Sequence, residues 1–349
     1  MVTIGVDTHK ETLAASAIDA AGRELEARTF RNDRAGHASL LRWAQAQGSE
    51  RRFGIEGSGS YGAALARHVS AARESVVEVP AVLTKRERRY LHRLGKSDPG
   101  DALAIARVTL REEHLGPVRV GGATEDLKLL VDTRDQRISE RTRAANRLHA
   151  YLVVLAPGPA AEIRNLTAAS HLAAARRLIV RRSGVRAELA RSEWDRVRRL
   201  TADVLTLESR IGALVRASGS SLPTIRGVAA ITAAKLLGET GDPLRLRSSP
   251  AFAALSGTAP IPASSGQTSR HRLNRGGNRQ LNRALHTIAV VQARTDPRAQ
   301  AYVTRRMAGG KSRLEALRCL KRHLADVVFR TMVADAIGLR APVAGALTT

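Results

Sequence analysis

Thr3-Ile4-Gly5-Val6-Asp7-Thr8-His9-Lys10 opens the chain with a short β-type run that ends on an aspartate. Its neighbours along the chain decide how that run is read. Leu13 to Ile18 is a second β-type run, and the polar Asp19-Ala20-Ala21-Gly22-Arg23 is a turn before a third, Glu24 to Phe30. Arg34 to Ala46 carries Leu40, Leu41 and Ala44 at helical spacing. Arg52 to Glu56 reads as a fourth strand, Tyr61 to Ala72 as a second helix, Ser75 to Val79 as a fifth strand and Asp101 to Leu110 as a third helix.

Three strands, helix, strand, helix, strand, helix is the element order of the ribonuclease-H-like fold. There, an antiparallel, hairpin-linked edge precedes parallel strands joined by crossover helices. From about Thr124 the pattern changes to long helices. One begins with Leu127, Leu130, Val131 and Arg134 and runs to Leu155, where Pro157-Gly158-Pro159 stops it. A second region covers 160–183. A third, Gly184 to Val215, repeats Leu189, Val197, Leu200, Val204, Leu207, Ile211 and Leu214 at intervals of three and four, the stripe of a helical bundle or coiled coil. Ser218 to Ser221 reads as a linker, and Leu222 to Leu237 either as a helix-hairpin-helix whose glycine-containing turn offers backbone N–H groups to a DNA phosphate or as a tight helical turn with no ligand. The expected class is α/β plus all-α. Residues 1–120 form the α/β domain, 121–217 a helical oligomerisation region, 218–340 a mainly helical C-terminal domain and 341–349 a tail.

The chain has 349 residues, a formal charge of +25, 43% hydrophobic and 3% aromatic residues. Wholesale disorder is excluded by the hydrophobic fraction, and a polyanionic partner is indicated by the charge. Residues 260–330 hold 15 basic and 3 acidic residues, whereas residues 1–100 hold 16 and 12, so the C-terminal part is the stronger phosphate binder. So few aromatics disfavour base stacking and suit readout of a duplex backbone. Arginine outnumbers lysine fifty to seven, as codon bias in a GC-rich genome produces. Bias of that kind chooses between cations and does not create their excess. No apolar stretch approaches the ~20 residues that span a bilayer, no secretory signal is visible, and a single cysteine, Cys319, fits a reducing cytoplasm.

Four acids fall where such a fold places metal ligands. Asp7 ends the first strand and Glu56 the fourth, in Phe53-Gly54-Ile55-Glu56-Gly57-Ser58-Gly59. If the two strands are neighbours, their carboxylates converge. Asp98 and Asp101, in Lys96-Ser97-Asp98-Pro99-Gly100-Asp101-Ala102, are spaced to share one face of a helix start, although Asp98 is also a good N-cap. Clustered carboxylates repel one another unless divalent cations neutralise them, and one or two Mg²⁺ ions are the chemistry of phosphoryl transfer.

A second constellation is Gly257-Thr258-Ala259-Pro260-Ile261-Pro262-Ala263-Ser264-Ser265-Gly266-Gln267-Thr268-Ser269-Arg270-His271-Arg272, followed by Leu273-Asn274-Arg275-Gly276-Gly277-Asn278-Arg279. Most Ser-Gly pairs are turns. A serine here, flanked by guanidinium groups, can also attack a phosphodiester and retain the bond energy in a phosphoserine link. Arg270, Arg272, Arg275 and Arg279 serve equally as backbone contacts.

The runs around Asp7, Glu56 and Asp98–Asp101 resemble the DEDD signature of the Piv/MooV-type insertion-sequence transposases, the IS110 family. That family's N-terminal domain is RuvC-like. The resemblance implies Asp7, Glu56, Asp98 and Asp101 as a Mg²⁺-binding quartet. The serine stretch is similar to the family's C-terminal domain, which implies Ser265 as nucleophile, with Ser264 a close rival. Arg275 to Arg279 and Leu317-Arg318-Cys319-Leu320-Lys321-Arg322 also look like the family pattern, and the Pro99-Gly100 pair between the last two aspartates is a minor departure. Further implications are a composite site shared between protomers, homodimers or homotetramers, and a structured non-coding bridge RNA that pairs with target DNA and element ends. Base pairing would then read sequence while the protein reads shape.

The alternative is a metal-dependent Holliday-junction resolvase or nuclease in which activated water attacks and the C-terminal domain only binds DNA. A non-catalytic nucleic-acid scaffold is the reading from charge alone. An actin-like ATPase ranks last, because Asp7-Thr8-His9-Lys10 lacks a glycine-bearing phosphate loop.

Overall fold

In a computed structural model, which describes residues 1–91, 98–112, 115–118, 121–262, 271–272, 274 and 276–340, the apolar runs of the first eighty residues become a five-stranded sheet. The strands are β1 (Val2–Thr8), β2 (Thr12–Ile18), β3 (Glu24–Arg31), β4 (Arg51–Ile55) and β5 (Ser75–Glu78), in the order β3-β2-β1-β4-β5. β1 pairs antiparallel with β2 and parallel with β4, as the element order requires. Helices α1 (Arg34–Ala46) and α2 (Ala63–Ala71) cover one face of this sheet, where Ile4, Val6, Phe53 and Ile55 pack with Leu40, Trp43 and Leu65. After β5 come α3 (Ala81–Leu91), a helix the sequence reading lacks, and α4 (Asp98–Arg111). Pro99 and Gly100 lie in the first turn of α4, where proline costs no backbone hydrogen bond.

α4 lies on the opposite face, and two glycines let it in. Gly5 of β1 pairs with Gly54 of β4. A Cβ on Gly5 would stand 2.2 Å from the Ala106 nitrogen and 2.3 Å from the Ala102 oxygen, and one on Gly54 would stand 1.8 Å from Thr109 Oγ1. Backbone therefore touches backbone across the face. Arg52 adds hydrogen bonds from its guanidinium to the Thr109 and Glu112 carbonyls (3.0 and 3.2 Å) at the last turn of α4.

The chain divides into two compact units, Met1–Gly122 and Ala123–Thr349. The second is helical. Its frame is a pair of 33-residue helices, α5 (Ala123–Leu155) and α8 (Val185–Ala217), each about 50 Å long at 1.5 Å per residue. They run antiparallel, since Arg134 meets Glu208 near one end (2.6 Å) and Arg147 meets Glu193 further along (2.8 Å). Two cores share this frame. At one end Ala144, Leu148 and Leu152 pack with Ala190 and Val197 and with the short α6 (Pro157–Ala160) and α7 (Ala169–Ile179). At the other, Leu127, Val131, Ile211 and Val215 join the core of the remaining helices. The seam of α8 follows Ala187, Ala190, Val197, Leu200, Val204, Ile211 and Val215, so Leu189 of the expected stripe is exposed instead.

Those remaining elements are α9 (Ala230–Thr240), α10 (Ser249–Leu255), the two-residue strands β6 (Ile261–Pro262) and β7 (His271–Arg272), then α11 (Arg279–Thr295), α12 (Pro297–Ala308) and α13 (Arg313–Arg340). The Ser218–Ser221 stretch is no free linker, because the Asp335 carboxylate of α13 accepts from Ser220 Oγ, the Ser221 nitrogen and Ser221 Oγ at 2.5–2.9 Å. In the segment read as a helix-hairpin-helix, the arm before Gly227 is a three-residue 3₁₀ turn, Leu222–Thr224, and the arm after it is α9.

The Gly5 contact sets an expected outcome. Gly5→Ala forces a methyl group into the α4 backbone and lowers stability by about 3 kcal/mol, at the upper end of overpacking costs. Gly59→Ala, with nothing within 4 Å, leaves it within about 0.5 kcal/mol. Urea denaturation followed by circular dichroism measures both.

Candidate functional site

Alternation along β1 puts Asp7 on the face of Gly5, the face that α4 covers, and the same rule puts Glu56 on the face of Gly54. β1 and β4 are neighbours and the ladder continues past the last strand pair, with the Glu56 nitrogen donating to the Val6 oxygen (3.2 Å). Asp7 and Glu56 therefore leave the same end of two parallel strands, the carboxyl end, where α/β folds place ligands. Asp101 precedes Ala102, whose carbonyl abuts Gly5. Helix-to-sheet contact thus fixes Asp101 beside the end of β1, and Asp7 and Asp101 are 8% and 9% exposed. Asp98 begins α4 one turn earlier, and its side chain lies outside the described residues.

The carboxylates have polar neighbours that the sequence reading did not single out. Thr84 of α3, fully buried, donates from Oγ1 to Glu56 Oε2 (3.0 Å), and His9 Nε2 stands 3.3 Å from Asp7 Oδ2. Thr84 was hidden because α3 was unread. Asn32, between β3 and α1, donates from Nδ2 to the His9 oxygen (2.8 Å) and the Tyr61 oxygen (2.9 Å), tying together the loops that follow β1 and β4. His37 Nε2 meets Asn32 Oδ1 at 2.8 Å, so the neutral ring donates there. Burial, then the neighbouring His68, hold the His37 ring below the ordinary histidine value of about 6.5.

Among the described residues, Asp7, Glu56 and Asp101 included, no three His, Cys, Asp or Glu side chains form a group that could hold a metal ion. The donors are nonetheless hard oxygens at a buried strand end. Mg²⁺ is commonly held by one or two carboxylates, with water and substrate phosphate completing its shell, and this donor set fits that habit.

The serine stretch is anchored at both roots. Ser264, Ser265, Arg270 and Arg275 lie outside the described residues, as does the side chain of Arg272, while Arg279 is the exposed first residue of α11. β6 and β7 pair antiparallel, Ile261 with Arg272 and Pro262 with His271, on either side of residues 263–270, which lie outside the described residues. Below these strands, Gly277 lies against Gly257, where a Cβ would meet the Gly257 nitrogen at 2.2 Å. The Asn278 nitrogen donates to the Leu255 oxygen (2.6 Å), and its side chain caps α11 through the Gln280 and Leu281 nitrogens. Asn278 Nδ2 reaches the buried Glu239 of α9 (2.6 Å), which Lys128 also contacts (2.7 Å). Asn282 Nδ2 donates to the Ser256 and Gly257 oxygens (2.9 and 3.1 Å), and its Oδ1 accepts from Lys321 Nζ (2.7 Å). The Gly-Gly-Asn run was legible as a motif, whereas Glu239, Asn282 and Lys321 carried no local signal.

Comparison with known proteins agrees with both ends of the chain. Residues 4–157 match a family model described as a transposase, of the DEDD IS110 type, and residues 219–304 match one described as transposase IS116/IS110/IS902 family. Together they take in about two thirds of the chain. An uncharacterized 43.6 kDa protein of insertion element IS110 from Streptomyces coelicolor is 39% identical over 127 residues, 35% of this chain and 31% of that protein. The chain thus spans about a third of that relative. An uncharacterized 42 kDa protein of IS900 from Mycobacterium paratuberculosis is 24% identical across 94% of each chain. Among solved structures, T. thermophilus RuvC in complex with a Holliday junction substrate is 18% identical, covering 30% of this chain and 90% of that one. The TM-score is 0.25. No helix among the described residues is long and apolar enough to cross a membrane.

The burial of His37, which lowers its pKa, predicts a pH dependence. Because the folded ring has the lower pKa, the unfolded chain binds more protons between that value and about 6.5. Stability is therefore full above pH ~6.5 and falls as pH drops toward the folded value. Urea midpoints between pH 7.5 and 5 are expected to fall accordingly, and less so in His37→Gln.

Proposed function

The chain belongs to the IS116/IS110/IS902 family of transposases, and from that premise we propose that it cuts and rejoins DNA through Ser265, with Mg²⁺ held by Asp7, Glu56, Asp98 and Asp101. The observation that carries this reading is the pair of carboxylates leaving adjacent parallel strands, with Asp101 on the turn of α4 that the glycine seat holds against β1. Bound there, Mg²⁺ would polarise a phosphate oxygen and offset the charge that accumulates as the phosphorus is attacked. The protein's own groups do the rest. Ser265 Oγ loses its proton and bonds to phosphorus, the DNA P–O bond breaks, and the leaving oxygen takes up a proton as a hydroxyl. Attack by a second DNA hydroxyl reverses these changes and frees the serine. Arg270, Arg272, Arg275 and Arg279 flank that phosphate and donate to its oxygens. Anchorage of the loop's roots by Asn278 and Asn282 supports a serine held for in-line attack.

Residues 1–120 serve as the RuvC-like metal domain, 121–217 as the oligomerisation region and 218–340 as the transposase domain proper, with a helix-hairpin-helix-like segment on the DNA backbone. The chain acts in the cytoplasm as a homodimer or homotetramer on element ends and target, guided by a structured non-coding RNA. Sparse aromatic residues support that division, since base reading is left to nucleic acid.

The experiment is trapping of covalent protein–DNA adducts on nicked element-end DNA, with Mg²⁺ and the RNA encoded beside the gene. Ser265→Ala is expected to lower adduct yield by ~10³-fold or more, while Ser264→Ala retains it. Asp7→Asn is expected to abolish strand cleavage with DNA binding intact. Cleavage that survives in Ser265→Ala would replace this reading with a water-using nuclease.

A further inference from the structure

Two lysines of the helical unit are buried, and they are treated differently. Lys235, 8% exposed, has the Asp135 carboxylate at 2.7 Å as its counter-charge. Lys321, 7% exposed, has among the described residues only the neutral Asn282 Oδ1. Segments of this unit outside the described residues, 263–270, 273, 275 and 341–349, contain no Asp or Glu to complete it. A buried ammonium without an acid is costly, because a neutral amide replaces little of the lost hydration.

Its surroundings raise the cost. His286 stands one turn after Asn282 on α11, and Arg318 one turn before Lys321 on α13. Both are exposed, and neither has an ion pair among the described residues. Burial and then Arg318 press the Lys321 ammonium below its ordinary pKa, and burial and then Lys321 do the same to the His286 ring, so the groups feel one another. Three cationic or donor side chains thus stand on or within one helical turn of the Asn282–Lys321 bond that joins α11 and α13. One acid stands nearby, Glu315, a turn before Arg318, with its carboxylate taken up by the Ser312 nitrogen and Oγ (2.9 and 2.8 Å); among the described residues no carboxylate reaches Lys321 itself. The same Asn282 that holds Lys321 also holds the Ser256 and Gly257 carbonyls, so the cluster adjoins the root of the serine segment.

We propose that Lys321, Arg318 and His286 form a binding site for one nucleic-acid backbone phosphodiester. This rests on the reading of the chain as a nucleic-acid recombinase and adds a contact outside the loop arginines. Arg318 and His286 meet the phosphate at the surface, and Lys321 supplies charge from below. A bound phosphate gives Lys321 the counter-charge it lacks, so occupancy is coupled through Asn282 to the residues that lead into the serine segment.

The test is equilibrium binding of the full chain to a 30-base-pair DNA duplex and, separately, to an RNA hairpin of similar length, over 50–300 mM salt. Variants are Arg318→Gln, His286→Gln, Lys321→Met and the pair Arg318→Gln/Lys321→Met. Arg318→Gln is expected to weaken binding about tenfold and to flatten the slope of log K against log salt by roughly 0.9 for duplex DNA, the loss of one phosphate contact. The double variant is expected to flatten it no further, because both side chains serve one phosphate. Lys321→Met should bind more weakly while keeping its urea midpoint, an outcome that a merely structural lysine would reverse. Arg318→Gln and His286→Gln, both at exposed positions, decide the matter should Lys321→Met fail to fold. The probe that shows the flattened slope identifies the source of the phosphate. Unchanged slopes on both probes, or losses that add as for separate surface charges, overturn the site and leave the parent reading standing. Binding of neither probe by the unaltered chain overturns both.

Discussion

The approach of α4 to the glycine pair Gly5 and Gly54 is the constraint on which the first unit depends. Helices usually sit on a sheet through a layer of side chains. Here the layer is missing at two paired positions, and the backbone of α4 meets β1 directly. This gives up apolar burial, because each glycine contributes no side chain to either surface. What it gains is placement. A helix seated on backbone has little freedom to slide or rotate, and Asp101 belongs to the turn that is seated. The opposite face, with Phe53, Ile55, Leu40 and Trp43, supplies the ordinary core and with it the stability that lets one face be given over to geometry.

The helical unit solves a related problem by other means. Among the described residues, the strands that flank its serine segment pair over two residues each, and the roots below them add further hold. Asparagine suits that task, because one amide donates and accepts at once. Asn278 caps α11, binds the carbonyl before the serine segment through its backbone and ties into Glu239, while Asn282 spans two carbonyls and Lys321. Gly257 and Gly277 permit the two roots to touch. The result is that the described residues on both sides of the 263–270 segment are held by α9, α11 and α13 together.

Much of the first unit was legible because its chemistry is local. Alternating apolar residues set the strands within a residue or so, Arg34 to Ala46 was read at its observed bounds, and acids ending Ile4-Gly5-Val6-Asp7 and Phe53-Gly54-Ile55-Glu56 became neighbours once β1 and β4 paired. α3 escaped because Lys85-Arg86-Glu87-Arg88-Arg89 breaks the apolar period, and with it went Thr84. In the helical unit the long helices were legible from their period. The polar frame was not, since Lys128 meets Glu239, Asn282 meets Lys321 and Ser221 meets Asp335 across 39 to 114 residues. No window of sequence contains both members of such a pair.

Lysine usage sharpens this point. In a chain with fifty arginines and seven lysines, substitution pressure runs toward the guanidinium, so a lysine hydrogen-bonded at a junction between helices is informative. Lys128 bridges Asp132 and Glu239, Lys235 bridges Asp135 and Gln280, and Lys321 reaches Asn282, each through Nζ at 3.0 Å or less. A compact ammonium directs three donors to acceptors on different helices, where the flat, wide guanidinium would need a broader cavity and a single plane of acceptors. Shape explains why all three are lysine. It does not explain charge, for the first two are paired with acids and the third is not. A neutral side chain would satisfy Asn282 Oδ1 without burying a cation. The charge at Lys321 therefore has no use in the packing of the isolated chain and gains one only when an anion arrives.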